Sequence, residues 1–134
     1  MTGLRSGSAA VEQALVTAVV LVFTFGIMDW SWFMFHELTS VIAAERGARL
    51  AAGALPDDDP AAVAEAEVLA WLDAYGLDPS EASVEVRYEE RDYGDVLTVE
   101  VTMPFDALIG LVPAPAALRG EATTVYYGGV FDEI

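Results

Sequence analysis

Ser6-Gly7-Ser8-Ala9-Ala10-Val11-Glu12 leads directly into Gln13–Met28, sixteen residues without a charge. Glu12 is thus a lone carboxylate at the mouth of an apolar segment, five positions after a glycine. A carboxylate in apolar surroundings is costly unless it stays at a wet boundary or meets a cation. A chain cut after Gly7 would supply such a cation in its new α-amino group.

The apolar stretch continues past Asp29 through Trp30, Trp32, Phe33 and Phe35. Three readings compete for it. A cleaved signal peptide has a basic start, a short apolar core and a small-x-small cut site. Here the apolar run is too long, and the alanines near Ala43 come too late. A membrane span needs about 20 mostly apolar residues; positions 13–35 supply 23 with Asp29 the single acid. Trp30, Trp32, Phe33 and Phe35 fit an aromatic belt at a membrane interface. Arg5 on one side, against the acidic remainder on the other, directs the N-terminus toward the cytoplasm. The third reading buries the same helix among other protein chains, and one molecule can use both environments at different times.

The rest of the chain is acidic. From Glu37 onward there are twenty acids against five arginines, within a total net charge of −16. Such a surface repels phosphate backbones, so nucleic acid is excluded as a partner, and it disfavours lying on anionic lipid. Lysine and cysteine are both absent, so there is neither a disulfide framework nor a thiolate nucleophile or metal ligand.

Helical spacing does not stop at the aromatic cluster. Leu38, Val41, Ile42, Ala48 and Ala52 continue an apolar stripe, Glu45 and Arg49 can pair one turn apart, and no proline occurs before Pro56. Gly53 is a fitting C-terminal cap. A helix from Ala9 to Ala52 would be about 66 Å long and must protrude from so small a protein. After the Leu55–Pro60 break, Asp59 reads as an N-cap with Pro60 in the first turn. A second helix is predicted over Ala61–Tyr75, with Val63, Ala66, Leu69, Ala70 and Tyr75 inward, ending at Gly76. Val84, Val86 and Tyr88 alternate with polar residues, as do Leu97, Val99, Val101 and Met103. The Asp92-Tyr93-Gly94-Asp95 turn predicts an antiparallel hairpin between them. A short helical turn is expected at Ala107–Leu111, a loop around Pro113 and Pro115, a third strand over Ala122–Tyr127, and a loose tail at Gly128-Gly129. The predicted class is α+β: a long protruding N-terminal helix, then a small domain with one helix on a three-stranded antiparallel sheet. The outer half of the long helix is expected to cover one sheet face.

At this point the residues resemble a family, the TadE-like pilins (pseudopilins) of tight-adherence, or Flp-type, pilus systems. Ser6–Glu12 resembles their prepilin-peptidase site. Phe25-Gly26-Ile27-Met28-Asp29 resembles the run that ends their apolar segment, and Ala43-Ala44-Glu45-Arg46-Gly47-Ala48-Arg49 their glycine-alanine-arginine signature. Met103-Pro104-Phe105 is similar to their late strand end. The chain departs from the pattern with Arg5 alone in the leader and Gln13 where an aromatic residue is common. The resemblance implies a leader at 1–7, a long helix over 8–53 with a transmembrane half at about 13–35, and an acidic α+β domain over 54–134. It implies cleavage between Gly7 and Ser8, and a salt bridge from Glu12 to the new amine in the same or a neighbouring chain. Implied partners are other pilin subunits in a homo- or hetero-polymer, a prepilin peptidase, a pilus assembly platform and the membrane. The implied location is a single pass of the inner membrane, then an extracellular filament.

Candidate chemistry elsewhere is thin. Asp57-Asp58-Asp59 lacks the ligand spread of a calcium loop and reads as a solvated turn. His36 has no second histidine for zinc and reads as an amphipathic side chain near Trp32. Asp29 is open to two readings, a functional role inside an assembly or, near the wet end of the apolar run, simple access to water. No nucleophile elbow, P-loop or dinucleotide fingerprint occurs, so no catalytic residue and no cofactor is expected. The expected function is a structural pilin-like subunit (minor pilin or pseudopilin); removal of seven residues from 134 would leave 127, longer than the very short major pilins typical of the family it resembles, although the sequence by itself does not separate major from minor. The alternative is a permanently membrane-anchored extracytoplasmic binding domain that does not polymerise.

Overall fold

The computed structural model describes residues 3–55, 57–92 and 94–126. Pro56, Tyr93 and the segment from Tyr127 through Gly128-Gly129, all named in the sequence reading, lie outside them. The elements run α1 (Gly3–Ala52), α2 (Pro60–Ala74), a 3₁₀ turn (Pro79–Glu81), β1 (Ser83–Glu89), β2 (Asp95–Pro104) and β3 (Ala117–Tyr126). The class is α+β: a long N-terminal helix followed by a small domain with one helix and a three-stranded antiparallel sheet in the order β1-β2-β3. The described residues gather into two compact units. One combines α1 up to Met34 with Asp106–Ala114; the other combines Phe35–Phe105 with the residues from Pro115 onward.

The second unit holds the core. β2 alternates as its sequence predicts, and Leu97, Val99, Val101 and Met103 are buried. They pack with Ala43, Ala44, Ala48 and Ala51 of α1 and with Ala64, Val68 and Leu72 of α2. The outer half of α1 therefore does cover one sheet face, but of the stripe expected only Ala48 is fully buried. Leu38 and Ile42 are exposed, and the buried face is made of small residues, Ser40, Ala43, Ala44, Gly47, Ala48 and Ala51. Small side chains let backbones approach closely. A Cβ on Gly120 of β3 would stand 2.4 Å from the Ser40 carbonyl oxygen, and one on Gly47 would stand 2.8 Å from the Val68 methyl and 3.0 Å from the Ala64 carbonyl oxygen. The buried hydroxyls of Thr39 and Ser40 donate to the carbonyls of Phe35 and His36 at 2.7 and 3.0 Å, so burial leaves neither unsatisfied.

α2 begins where the sequence says it should. The Asp59 carboxylate accepts from the Ala61 N–H at 3.0 Å, and Pro60 occupies the first turn. Its inward face is the neighbouring one: Ala64, Val68 and Leu72 are buried, while Ala66, Ala70 and Tyr75 are exposed. The helix is apolar nearly all round, so spacing does not single out a face; the close seat on Gly47 selects it. β3 starts five residues before the predicted Ala122, because Gly120, a poor strand former by composition, is the residue that fits against Ser40. The helical turn expected at Ala107–Leu111 does not form.

On the outer sheet face, Glu85, Glu100 and Glu121 stand directly opposite one another across the three strands. Like charges in register are destabilising. Arg87 relieves them by reaching Glu85 at 2.8 Å and Glu100 at 3.1 Å. Arg119 does the same for Glu100 at 2.7 Å and Glu121 at 3.3 Å.

Candidate functional site

Gly7, Ser8 and Glu12 lie in the opening turns of α1 and are all exposed. A Cβ on Gly7 would meet nothing within 4 Å. Among the described residues Glu12 makes no salt bridge. The carboxylate is thus available to a cation from elsewhere.

The following turns expose apolar side chains on every side: Leu15, Val16, Val19, Val20, Leu21, Val22, Phe23 and Ile27 all face outward. The two hydroxyls in the run are turned back into the helix. Thr17 donates to the Gln13 carbonyl and Thr24 to the Val20 carbonyl, each at 2.8 Å. A backbone that is fully bonded within its own helix is what a hydrocarbon environment requires. The helix is long and apolar enough to cross a membrane. Further along the same helix Trp30, Trp32 and Phe35 are exposed and Phe33 is half-buried, with the Trp30 and Phe33 rings 5.5 Å apart. His36 packs edge-on against Phe35 and Phe105.

Asp29 is the residue that sequence reasoning underrated. It does not reach water: it is 3% exposed. One carboxylate oxygen accepts from the Ile109 N–H at 2.7 Å; the other accepts from Leu111 at 2.7 Å and Val112 at 3.4 Å. The segment that was expected to form a helical turn instead wraps its backbone N–H groups around this carboxylate. Carboxylate–amide bonds are charge-assisted and stronger than neutral ones, so they outweigh the single turn of helix that four or five residues could form. An acid in a charge-free run was the available signal, but its partner lies 80 residues away.

The glycine-alanine-arginine run at 43–49 acquires a structural meaning. Its alanines fill the core and Gly47 admits α2. Arg46 extends over the Trp71 ring at 4.3 Å and bonds Glu67 at 2.8 Å. Glu45 and Arg49 pair on the surface at 3.6 Å.

No curated protein and no solved structure matches the chain. A family model, that of the TadE-like proteins, matches residues 7–49. This stretch takes in Gly7, Glu12, the apolar run, Asp29 and the Ala43–Arg49 run, and it is over these residues that the chain is similar to the TadE-like proteins.

Proposed function

We propose that the chain is a pilin-like structural subunit, a minor pilin or pseudopilin, associated with a tight-adherence type IV pilus. A prepilin peptidase cuts between Gly7 and Ser8. The helix waits in the inner membrane with its N-terminus toward the cytoplasm and Trp30, Trp32, Phe33 and Phe35 at the far interface. The assembly platform then passes the subunit into a filament built by helix packing with other pilin subunits, where Glu12 neutralises the amine of Ser8. The role is structural rather than catalytic.

The observation that carries this reading is the TadE-like match, which begins at Gly7, the glycine before the proposed cut. The surroundings of Gly7 agree with it. Glycine within a helix costs about 1 kcal/mol relative to alanine, yet among the described residues nothing occupies the space a Cβ at Gly7 would fill. The open space around Gly7 is what a site recognised by another protein needs.

Mass spectrometry of the native protein tests the proposal. A mature start at Ser8 is expected, with Gly7→Leu blocking the cut and Glu12→Ala lowering filament incorporation without loss of membrane insertion. An intact Met1 on a protein never recovered from filaments would overturn it in favour of a permanent anchor.

A further inference from the structure

The polarity of the Asp106–Ala114 segment is inverted. No charged residue occurs between Asp106 and Arg119, in a chain of net charge −16. Leu108, Ile109 and Leu111 turn outward and are 53%, 45% and 46% exposed, while the backbone N–H groups of Ile109, Leu111 and Val112 turn inward to Asp29. In water this arrangement leaves a contiguous apolar patch uncovered.

The segment also lies beside the apolar run and not beyond it. A Val112 methyl would be 3.8 Å from a Cβ on Gly26. Gly26 precedes Phe35 by nine residues, about 13 Å along a helix axis. Asp29 precedes Phe35 by six residues, about 9 Å. If residues 13–35 cross the bilayer, non-helical backbone stands next to the span at that level. Unpaired backbone N–H and C=O groups are costly in hydrocarbon, which disfavours irregular backbone exposed to lipid there; the Asp29 carboxylate satisfies three N–H groups of this segment and lowers that cost. The same bonds compensate an acid that would otherwise be costly in an apolar setting.

From this we infer that Leu108–Val112 is a lipid-contacting loop. It inserts Leu108, Ile109 and Leu111 into the bilayer leaflet at the C-terminal end of the span, and Asp29 acts as the clasp that makes its backbone compatible with lipid. The contact is apolar rather than electrostatic, so it needs no anionic headgroup. The inference rests on the membrane-spanning reading of α1.

Because the chain has no cysteine, single labels are unambiguous. Ile109→Cys, Leu21→Cys and Thr98→Cys would each be made in the full chain and carry an environment-sensitive fluorophore. Each would be reconstituted in phosphatidylethanolamine–phosphatidylcholine vesicles containing lipid spin-labelled near the headgroup end of the acyl chain. Labels at Ile109 and Leu21 should emit to the blue of the label at Thr98, and the Ile109 label should be quenched by the spin-labelled lipid. Adding Asp29→Ala should abolish that quenching and leave the Leu21 emission unchanged. A water-like Ile109 label beside a lipid-embedded Leu21 label overturns the loop inference and spares the span. Water-like emission at both sites overturns the span as well. Protection of Ile109 that disappears on dilution of the protein in lipid assigns the patch to a neighbouring copy and overturns the lipid contact. Unchanged quenching in Asp29→Ala overturns the role of the carboxylate.

Discussion

Gly120 and Ser40 meet backbone to backbone: a methyl group on Gly120 would stand 2.4 Å from the Ser40 carbonyl oxygen, 2.5 Å from its carbon and 2.7 Å from the Val41 nitrogen. None of these atoms is the end of a flexible side chain, so relief requires β3 to move away from α1. Gly120→Ala should therefore cost about 3 kcal/mol, the upper end for overpacking. Thermal unfolding of the full chain in detergent, followed by circular dichroism, checks it. Stability equal to the parent protein would show that the two segments are not in this contact.

Gly47 poses a closer balance. Alanine in a helix interior gains about 1 kcal/mol over glycine, but here its methyl would lie 2.8 Å from the Val68 methyl and 3.0 Å from the Ala64 carbonyl. The carbonyl belongs to the backbone of α2 and cannot rotate away. A net loss of about 1–2 kcal/mol is expected. Val68→Ala is destabilising alone, yet should recover part of that loss in the double variant, so a double-mutant cycle should give a non-zero coupling.

The glutamate row across the sheet makes stability depend on its two arginines. Arg119 holds both oxygens of Glu100, at 2.7 and 2.9 Å, and the Glu100 side chain is 12% exposed. Arg119→Ala leaves Glu100 between two in-register carboxylates with Arg87 alone. Because Arg119 is itself largely exposed, the loss should be about 1 kcal/mol. Glu100→Gln in the same background should restore most of it. A double variant no more stable than Arg119→Ala would count against the charge argument.

The same row sets an acid limb. The hydrogen bond from Arg87, with its charge, holds the Glu85 carboxyl below its ordinary value of 4.5. Folding therefore favours the ionised form, and this contribution is complete above that value and disappears as the pH falls through the lower folded one. Stability should decline below about pH 4.5, and Glu85→Gln should make the decline shallower. A parallel decline in the variant would assign the acid limb to other carboxylates.

Asp59→Ala removes the acceptor for the Ala61 N–H. The expected cost is about 1 kcal/mol, with Asp59→Asn or Asp59→Ser near neutral. Equal losses in all three would point to a role for the charge rather than for the cap.

How far these features could be read in advance differs from one element to the next. The Asp59-Pro60 start of α2 and the Leu97–Met103 alternation of β2 are local signals, and the structure keeps both. The inward face of α2 is not local, because alanines and other apolar residues surround the helix and only its seat on Gly47 picks out Ala64, Val68 and Leu72. The covered stripe of α1 was misjudged for a related reason. Spacing along the helix predicts an apolar stripe, whereas closeness to the sheet selects Ser40, Ala43, Ala44 and Gly47 and leaves Leu38 and Ile42 outside.

The α+β class and the long apolar helix follow from periodicity, length and turn chemistry, which act between residues a few positions apart. The start of β3, the fate of Ala107–Leu111 and the burial of Asp29 do not. Each depends on atoms brought together across many tens of residues: Gly120 with Ser40, and Asp29 with the amides of Ile109, Leu111 and Val112. Steric exclusion and hydrogen-bond demand are satisfied in space, so a pattern along the chain can show that a glycine or an acid is out of place without showing what it meets.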